Sequence, residues 1–186
     1  MEPVFHELIT ASGHTGDLML SALQKMIRRG DAEGASRAAY ELSIASEASD
    51  QLAWQRLSVI CAEDVGLGCP EAPAVVHALA QSARELPWGN SDRHILLTHA
   101  VRFLCQCPKD RASCTLTSVL KRRVKAGVPF ELSDYVYDMH TAKGREMGRG
   151  RMHFLHEASR VIPESQWDDP WYEELDRLYK EEDLNG

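Results

Sequence analysis

Apolar residues recur at helical spacing through most of this chain, and nearly every such run stops at a glycine or a proline. In TGDLMLSALQKMIRRGD, Met19, Leu23, Met26 and Ile27 fall at i, i+4, i+7 and i+8, one face of a helix. Lys25, Arg28 and Arg29 complement the carbonyl end of that helix, and Gly30 can close it. The alanine-rich AEGASRAAYELSIAS predicts a second, closely packed helix. Ser49 or Asp50 is positioned to cap a third, from Gln51 to about Val65. Gly66 and Gly68 end it, and Pro70 keeps it from resuming. PEAPAVVHALAQSAREL predicts a fourth helix, with proline in its first turn, where a missing N–H costs nothing. Ser91 or Asp92 then caps a fifth, RHILLTHAVRFLCQC. Its apolar residues cover more than one face, as expected of a central, buried helix. Pro108 closes it and Asp110 caps a sixth, RASCTLTSVLKRRVKAG. There Leu116, Val119, Leu120 and Val124 are expected to face inward, and Lys121, Arg122 and Arg123 outward. Period-2 alternation of β-branched residues is scarce, so the fold class is all-α.

Beyond Gly127 the texture changes. Gly144, Gly148 and Gly150 stand among basic residues in DMHTAKGREMGRGRMHF, which reads as a loop with a short helix. DDPWYEELDRLYKEEDLNG is a terminal helix with Pro170 at its first position and an apolar stripe of Trp171, Leu175 and Leu178. The expected organisation is a helical domain over 1–130 and, over 131–186, a basic Gly-rich tail with an acidic C-terminal helix packed on it.

Composition narrows the class. With 44% hydrophobic and 26% charged residues, the 186-residue chain can bury a real core. No apolar run is long enough to span a bilayer, and MEPVFHELIT lacks the basic start of a secretion signal. Five cysteines, an odd count, point to reduced thiols in a cytoplasmic protein. The net charge of −7 is segregated: residues 109–151 carry 10 Lys and Arg against 5 Asp and Glu, and residues 152–186 carry 3 against 10. A basic segment in an acidic protein marks either an anionic partner or a solvated surface facing the acidic tail.

Three blocks in order carry a resemblance. DLMLSALQKMIRRGDAEGA (17–35), RLSVICAEDVGLGCPEA (56–72) and HAVRFLCQCPKDRASC (99–114) are similar to the C-terminal region of the replication-associated recombination (maintenance of genome stability) family of AAA+ ATPases. Its eukaryotic relative is the Werner-helicase-interacting protein. The match covers about residues 17 to 130. It implies a compact multi-helix bundle like the collar of sliding-clamp loaders, assembly with an ATPase module into a tetramer, and a setting in DNA maintenance at stalled replication forks. No G-x-x-x-x-G-K-[ST] occurs, so no phosphate cradle and no nucleotide hydrolysis are expected of this chain. Ala62 and Gly68 replace the family's usual Ser and Ala, and the Gly-rich tail is only loosely like the family's ending.

The candidate sites follow. Glu63 and Asp64 sit in a helix's last turn, where the dipole disfavours anions by ~0.3–1 kcal/mol each. Either they pair with Arg56, seven residues earlier, or with Arg102 or the following turn, or they serve a subunit interface or metal. Lys121, Arg122, Arg123 and Lys125, with Lys143, Arg145, Arg149 and Arg151, are candidate DNA contacts, because Lys and Arg neutralise backbone phosphates. Trp88 and Tyr135 are candidate stacking residues. His153, His156 and Glu157 offer an alternative metal cluster, although His-x-x-His-Glu lacks the i, i+4 pair of a zinc protease. His140, in Asp138-Met139-His140-Thr141, is the best polar constellation for catalysis, but it would need a Ser or Cys nucleophile that nothing in the sequence identifies. The reading favoured is a non-catalytic oligomerisation and scaffold domain. It needs no cofactor, forms a dimer or tetramer, and works with an AAA+ ATPase module, replication proteins or DNA. The alternative is a small metal-binding protein or hydrolase using His140–Glu157.

Overall fold

A computed structural model describes residues 7–185, and they form an all-α protein. Their contacts divide the chain into a unit ending at Gly127 and one beginning at Val128.

In the first unit, α1 (Gly16–Arg29) and α2 (Ala32–Ala45) form an antiparallel pair around Gly30 and Asp31, whose carboxylate accepts the Gly34 N–H at 2.9 Å. Met19, Leu23 and Ile27 bury one face of α1 against Ala35, Ala38, Ala39 and Leu42, and the small α2 side chains allow close approach. Next comes α3 (Glu47–Ile60), capped by Ser46, whose hydroxyl accepts the Ser49 N–H at 3.1 Å. The expected caps, Ser49 and Asp50, instead lie buried in its first turn with tertiary roles. Ser49 donates to the Leu42 carbonyl at 2.6 Å, and Asp50 pairs with Arg93. The run to Val65 is also not one regular helix. After Ile60 it widens into a π turn, Cys61–Val65, and then tightens into a 3₁₀ turn, Gly66–Gly68. Gly66 has φ +52°, and a Cβ there would stand 2.4 Å from the Asp110 carbonyl oxygen, so only glycine fits.

Two more helices complete this core. They are α4 (Ala72–Arg84) and α5 (Ser91–Gln106), the latter capped by Asn90 rather than Ser91 or Asp92. Packed on α1, α2, α3 and α4, α5 buries Leu97, Ala100, Val101 and Leu104. Each of the Leu and Val side chains contributes about 1.5–3 kcal/mol of transfer free energy. The sixth helix differs. α6 (Ala112–Lys125) packs chiefly on the π turn and buries none of its residues. Leu116, Val119, Leu120 and Val124, expected to face inward, are 56%, 37%, 48% and 79% exposed.

The second unit holds a 3₁₀ turn (Asp134–Val136), α7 (Ala142–Glu146), α8 (Arg151–His153) continuing into a π turn (Phe154–Ala158), and α9 (Tyr172–Asn185). Thr141 caps α7 at 3.0 Å, and α7 sits so close to the preceding turn that a Cβ on Gly144 would fall 1.9 Å from the Asp138 carbonyl oxygen. No helix among the described residues is long and apolar enough to cross a membrane.

Candidate functional site

The π turn places the two helix-terminal acids. Asp64 is fully buried and Glu63 lies at the surface. Arg28 Nε donates to Asp64 Oδ1 at 2.5 Å, Arg111 Nε approaches the same oxygen at 3.0 Å, and Gln24 Nε2 donates to Oδ2 at 2.9 Å. Glu63 Oε1 stands 3.8 Å from Arg28 and 3.5 Å from Arg111. The partners are therefore Arg28 and Arg111, not the expected Arg56 and Arg102. Among the described residues Arg56 reaches the Gln24 amide oxygen, at 3.4 Å, and neither acid, and Arg102 is exposed beside Tyr40 and His94. The choice is made by packing: α1 runs past the end of α3 and presents Arg28 to it, and the loop after α5 brings Arg111. The Arg28 guanidinium is held above its ordinary pKa by its hydrogen bond to Asp64, against the opposing cost of burial.

The same turn seats α6. The Asp110 N–H donates to the carbonyls of Asp64 at 3.0 Å and Val65 at 3.1 Å. Its carboxylate accepts the Leu67 N–H at 3.2 Å and the Ala112 N–H at 2.9 Å. The cap position of α6 is Arg111 rather than the expected Asp110, and Asp110, one residue earlier, fastens the helix to the turn. From sequence, Arg28 reads as a dipole complement and Arg111 as one of the basic residues of the 109–151 segment, so neither is expected as a partner of the acids. The available signal was Lys-Asp-Arg directly before a helix start, opposite two unexplained acids.

The basic residues fall into two groups. Lys121, Arg122, Arg123 and Lys125 on α6 are exposed, and among the described residues none of them is in an ion pair. Arg122 donates only to the Ser118 carbonyl, at 2.9 Å. In the second unit the basic residues are engaged locally. Arg149 grips both Asp134 oxygens, at 2.6 and 2.8 Å, together with the Asp134 and Tyr137 carbonyls. Arg151 pairs with Glu182, Lys143 lies over the Tyr137 ring at 4.8 Å, and Arg145 donates to the Met139 carbonyl at 3.1 Å. Trp88 donates its indole N–H to the Ser43 carbonyl at 2.9 Å, whereas Tyr135 is exposed.

Two histidines of the second unit, His140 and His156, are separately engaged. His140 Nδ1 lies 2.9 Å from Asp138 with its ring edge-on to Phe154, and His156 Nε2 lies 2.6 Å from Asp176. Among the described residues no three His, Cys, Asp or Glu side chains are grouped to hold a metal ion, His153, His156 and Glu157 included. The π turn and α9 instead border a groove of about 1050 Å³. Trp167, Trp171 and Leu175 line it together with Asp168, Asp169 and Glu174.

Residues 40–183 match the family model of the MgsA AAA+ ATPase C terminal. The chain belongs to that family. It is similar to the replication-associated recombination protein A of Bacillus subtilis, 34% identical over 134 residues, which cover 71% of this chain and 30% of that protein. It is also similar to an uncharacterized AAA domain-containing protein of Mycobacterium tuberculosis, 30% identical over 134 residues, covering 70% and 29%. The chain spans less than a third of the length of these relatives. Within the MgsA C-terminal domain, the matched stretch takes in the π turn, α6 and the groove of the second unit.

Proposed function

We propose that this chain is the non-catalytic oligomerisation and scaffold domain of an AAA+ ATPase acting in DNA replication and recombinational repair. Its helical part to residue 130 would make the assembly, and residues 131–186 form an appendage. The observation that carries this reading is the apolar stripe of α6, which a single chain leaves exposed. A helix fastened to a buried ionic node yet burying none of its own residues is what a subunit contact looks like before its partner arrives. Family membership gives the ATPase and replication setting. Light scattering at tens of micromolar tests it: a dimer or tetramer is expected, and Leu120→Glu, on an exposed position, should shift it to monomer with unchanged helicity. A monomeric parent protein would overturn the reading.

The unpaired cations of α6 support a second role, contact with nucleic-acid phosphates. Lys121, Arg122 and Lys125 lie outside the apolar stripe and are exposed. Weak, sequence-independent binding of roughly 10⁻⁴–10⁻⁶ M, falling as salt rises, is expected with a single-stranded oligonucleotide by fluorescence anisotropy. Arg122→Ala should lower both the affinity and the salt slope. No binding at about 50 mM salt would reduce these residues to a solvated surface.

A further inference from the structure

We infer that the acidic, aromatic groove of the second unit receives α6 of a second copy of this chain. The inference rests on the oligomerisation reading and names the contact that would make it. Two surfaces left uncovered among the described residues are complementary in shape class and in charge. The groove offers Trp167 and Trp171, 79% and 71% exposed, beside Asp168, Asp169 and Glu174. The helix offers Leu116, Val119 and Leu120 on one face, carries no acid anywhere in 112–125, and ends in four cations.

One position on α6 ties the two together. At about 100° per residue, Arg123 is a near-integral two turns beyond Leu116, so it falls inside the apolar stripe and not opposite it. Arg123 is exposed, as expected, but shares the face of the stripe rather than that of Lys121 and Arg122. A cation in the middle of an apolar stripe is a poor fit to a purely apolar partner, since it would be desolvated without compensation. A groove with tryptophan faces and carboxylates meets both demands, the aromatic rings stacking on the guanidinium and the acids pairing with it. A helix seated by apolar residues at i, i+3 and i+4 is a recurrent recognition mode. The contact joins two different surfaces, so it is heterologous and can close into a ring of copies.

Carbodiimide coupling of mixed ¹⁴N- and ¹⁵N-labelled chains, read by mass spectrometry beside light scattering, tests this. Mixed-isotope products joining Lys121 or Lys125 to Asp168, Asp169 or Glu174 are expected. Arg123→Glu should weaken association at least about tenfold, and Asp168→Lys with Asp169→Lys should restore it in that background. An oligomer that yields no mixed products and ignores Arg123→Glu overturns this contact and leaves the oligomerisation reading standing. Products confined to single chains in an oligomer do the same. A monomeric parent protein removes both.

Discussion

The carboxylates of the two units differ in burial and in the reach of their partners. In the first unit Asp50, Asp64 and Glu41 are buried, and each has a partner far away in sequence. Arg93 is 43 residues from Asp50, Arg28 is 36 from Asp64, and Ser12 is 29 from Glu41. Each of these contacts joins separate parts of the unit and can form only when they are correctly docked. In the second unit Asp138 pairs with His140 two residues on, and Asp176 with Lys180 four residues on and with His156 20 residues back. Asp134 is 75% exposed beside Arg149. These pairs lie nearer the surface and are shared with water. The buried set therefore specifies tertiary packing and the surface set trims local charge, although both are ion pairs on paper.

A graded series of substitutions would break or sharpen that contrast within the first unit itself. Asp50→Ala is expected to be the most costly, at about 3–5 kcal/mol, because the Arg93 guanidinium is only 9% exposed and would keep its charge without a counter-ion. Asp64→Ala should cost less, ~1–3 kcal/mol. Arg28 and Arg111 are 29% and 42% exposed and can turn to water, while Gln24 loses an acceptor. Glu63→Ala, with contacts of 3.5 and 3.8 Å at the surface, should stay below ~1 kcal/mol. Urea unfolding of the three variants gives the order directly. If Glu63→Ala cost as much as Asp50→Ala, burial would not be the governing variable.

How much of this could be read in the sequence depends on how local the cause is. The helical runs of α1, α2, α4 and α5 follow from apolar spacing and from Gly and Pro stops, which act within a turn or two. The start of α3 was misread because Ser49 and Asp50 are good caps in isolation but are used by Leu42 and Arg93, residues in other helices. Nothing in Cys61–Val65 announces a π turn, since an inserted residue changes geometry and not composition. Arg56 stood at the right helical spacing for Glu63, but the pairing was decided by how α1 crosses α3. The face of α6 is the clearest case. Its amphipathic pattern shows that something covers it, and says nothing of whether the cover is this chain's core or a partner.

Acid titration offers the finest discrimination between the two kinds of carboxylate. Glu41 accepts the Ser12 hydroxyl at 2.6 Å and the Ser12 N–H at 2.9 Å, with Arg37 3.1 Å away, and these bonds hold its pKa at about 2 against an ordinary 4.5. Asp176 is held below the usual range by Lys180 first and His156 second. Both pKa values are depressed in the folded protein, so both groups contribute stability above the ordinary carboxylate range and lose it as pH falls through the folded value. Salt separates them. The chief donors to Glu41 are neutral and close, and a hydrogen bond from a hydroxyl is not screened by mobile ions. Asp176 depends first on the Lys180 cation, near the surface, where the Debye length shrinks from ~10 Å at 0.1 M to ~3 Å at 1 M. Carboxyl NMR titrations at low and high salt are therefore expected to move the Asp176 midpoint up toward its ordinary value while the Glu41 midpoint stays near its low one. Equal movement of both would show that Arg37, and not Ser12, governs Glu41, and would dissolve the distinction between a carboxylate that organises a fold and one that decorates it.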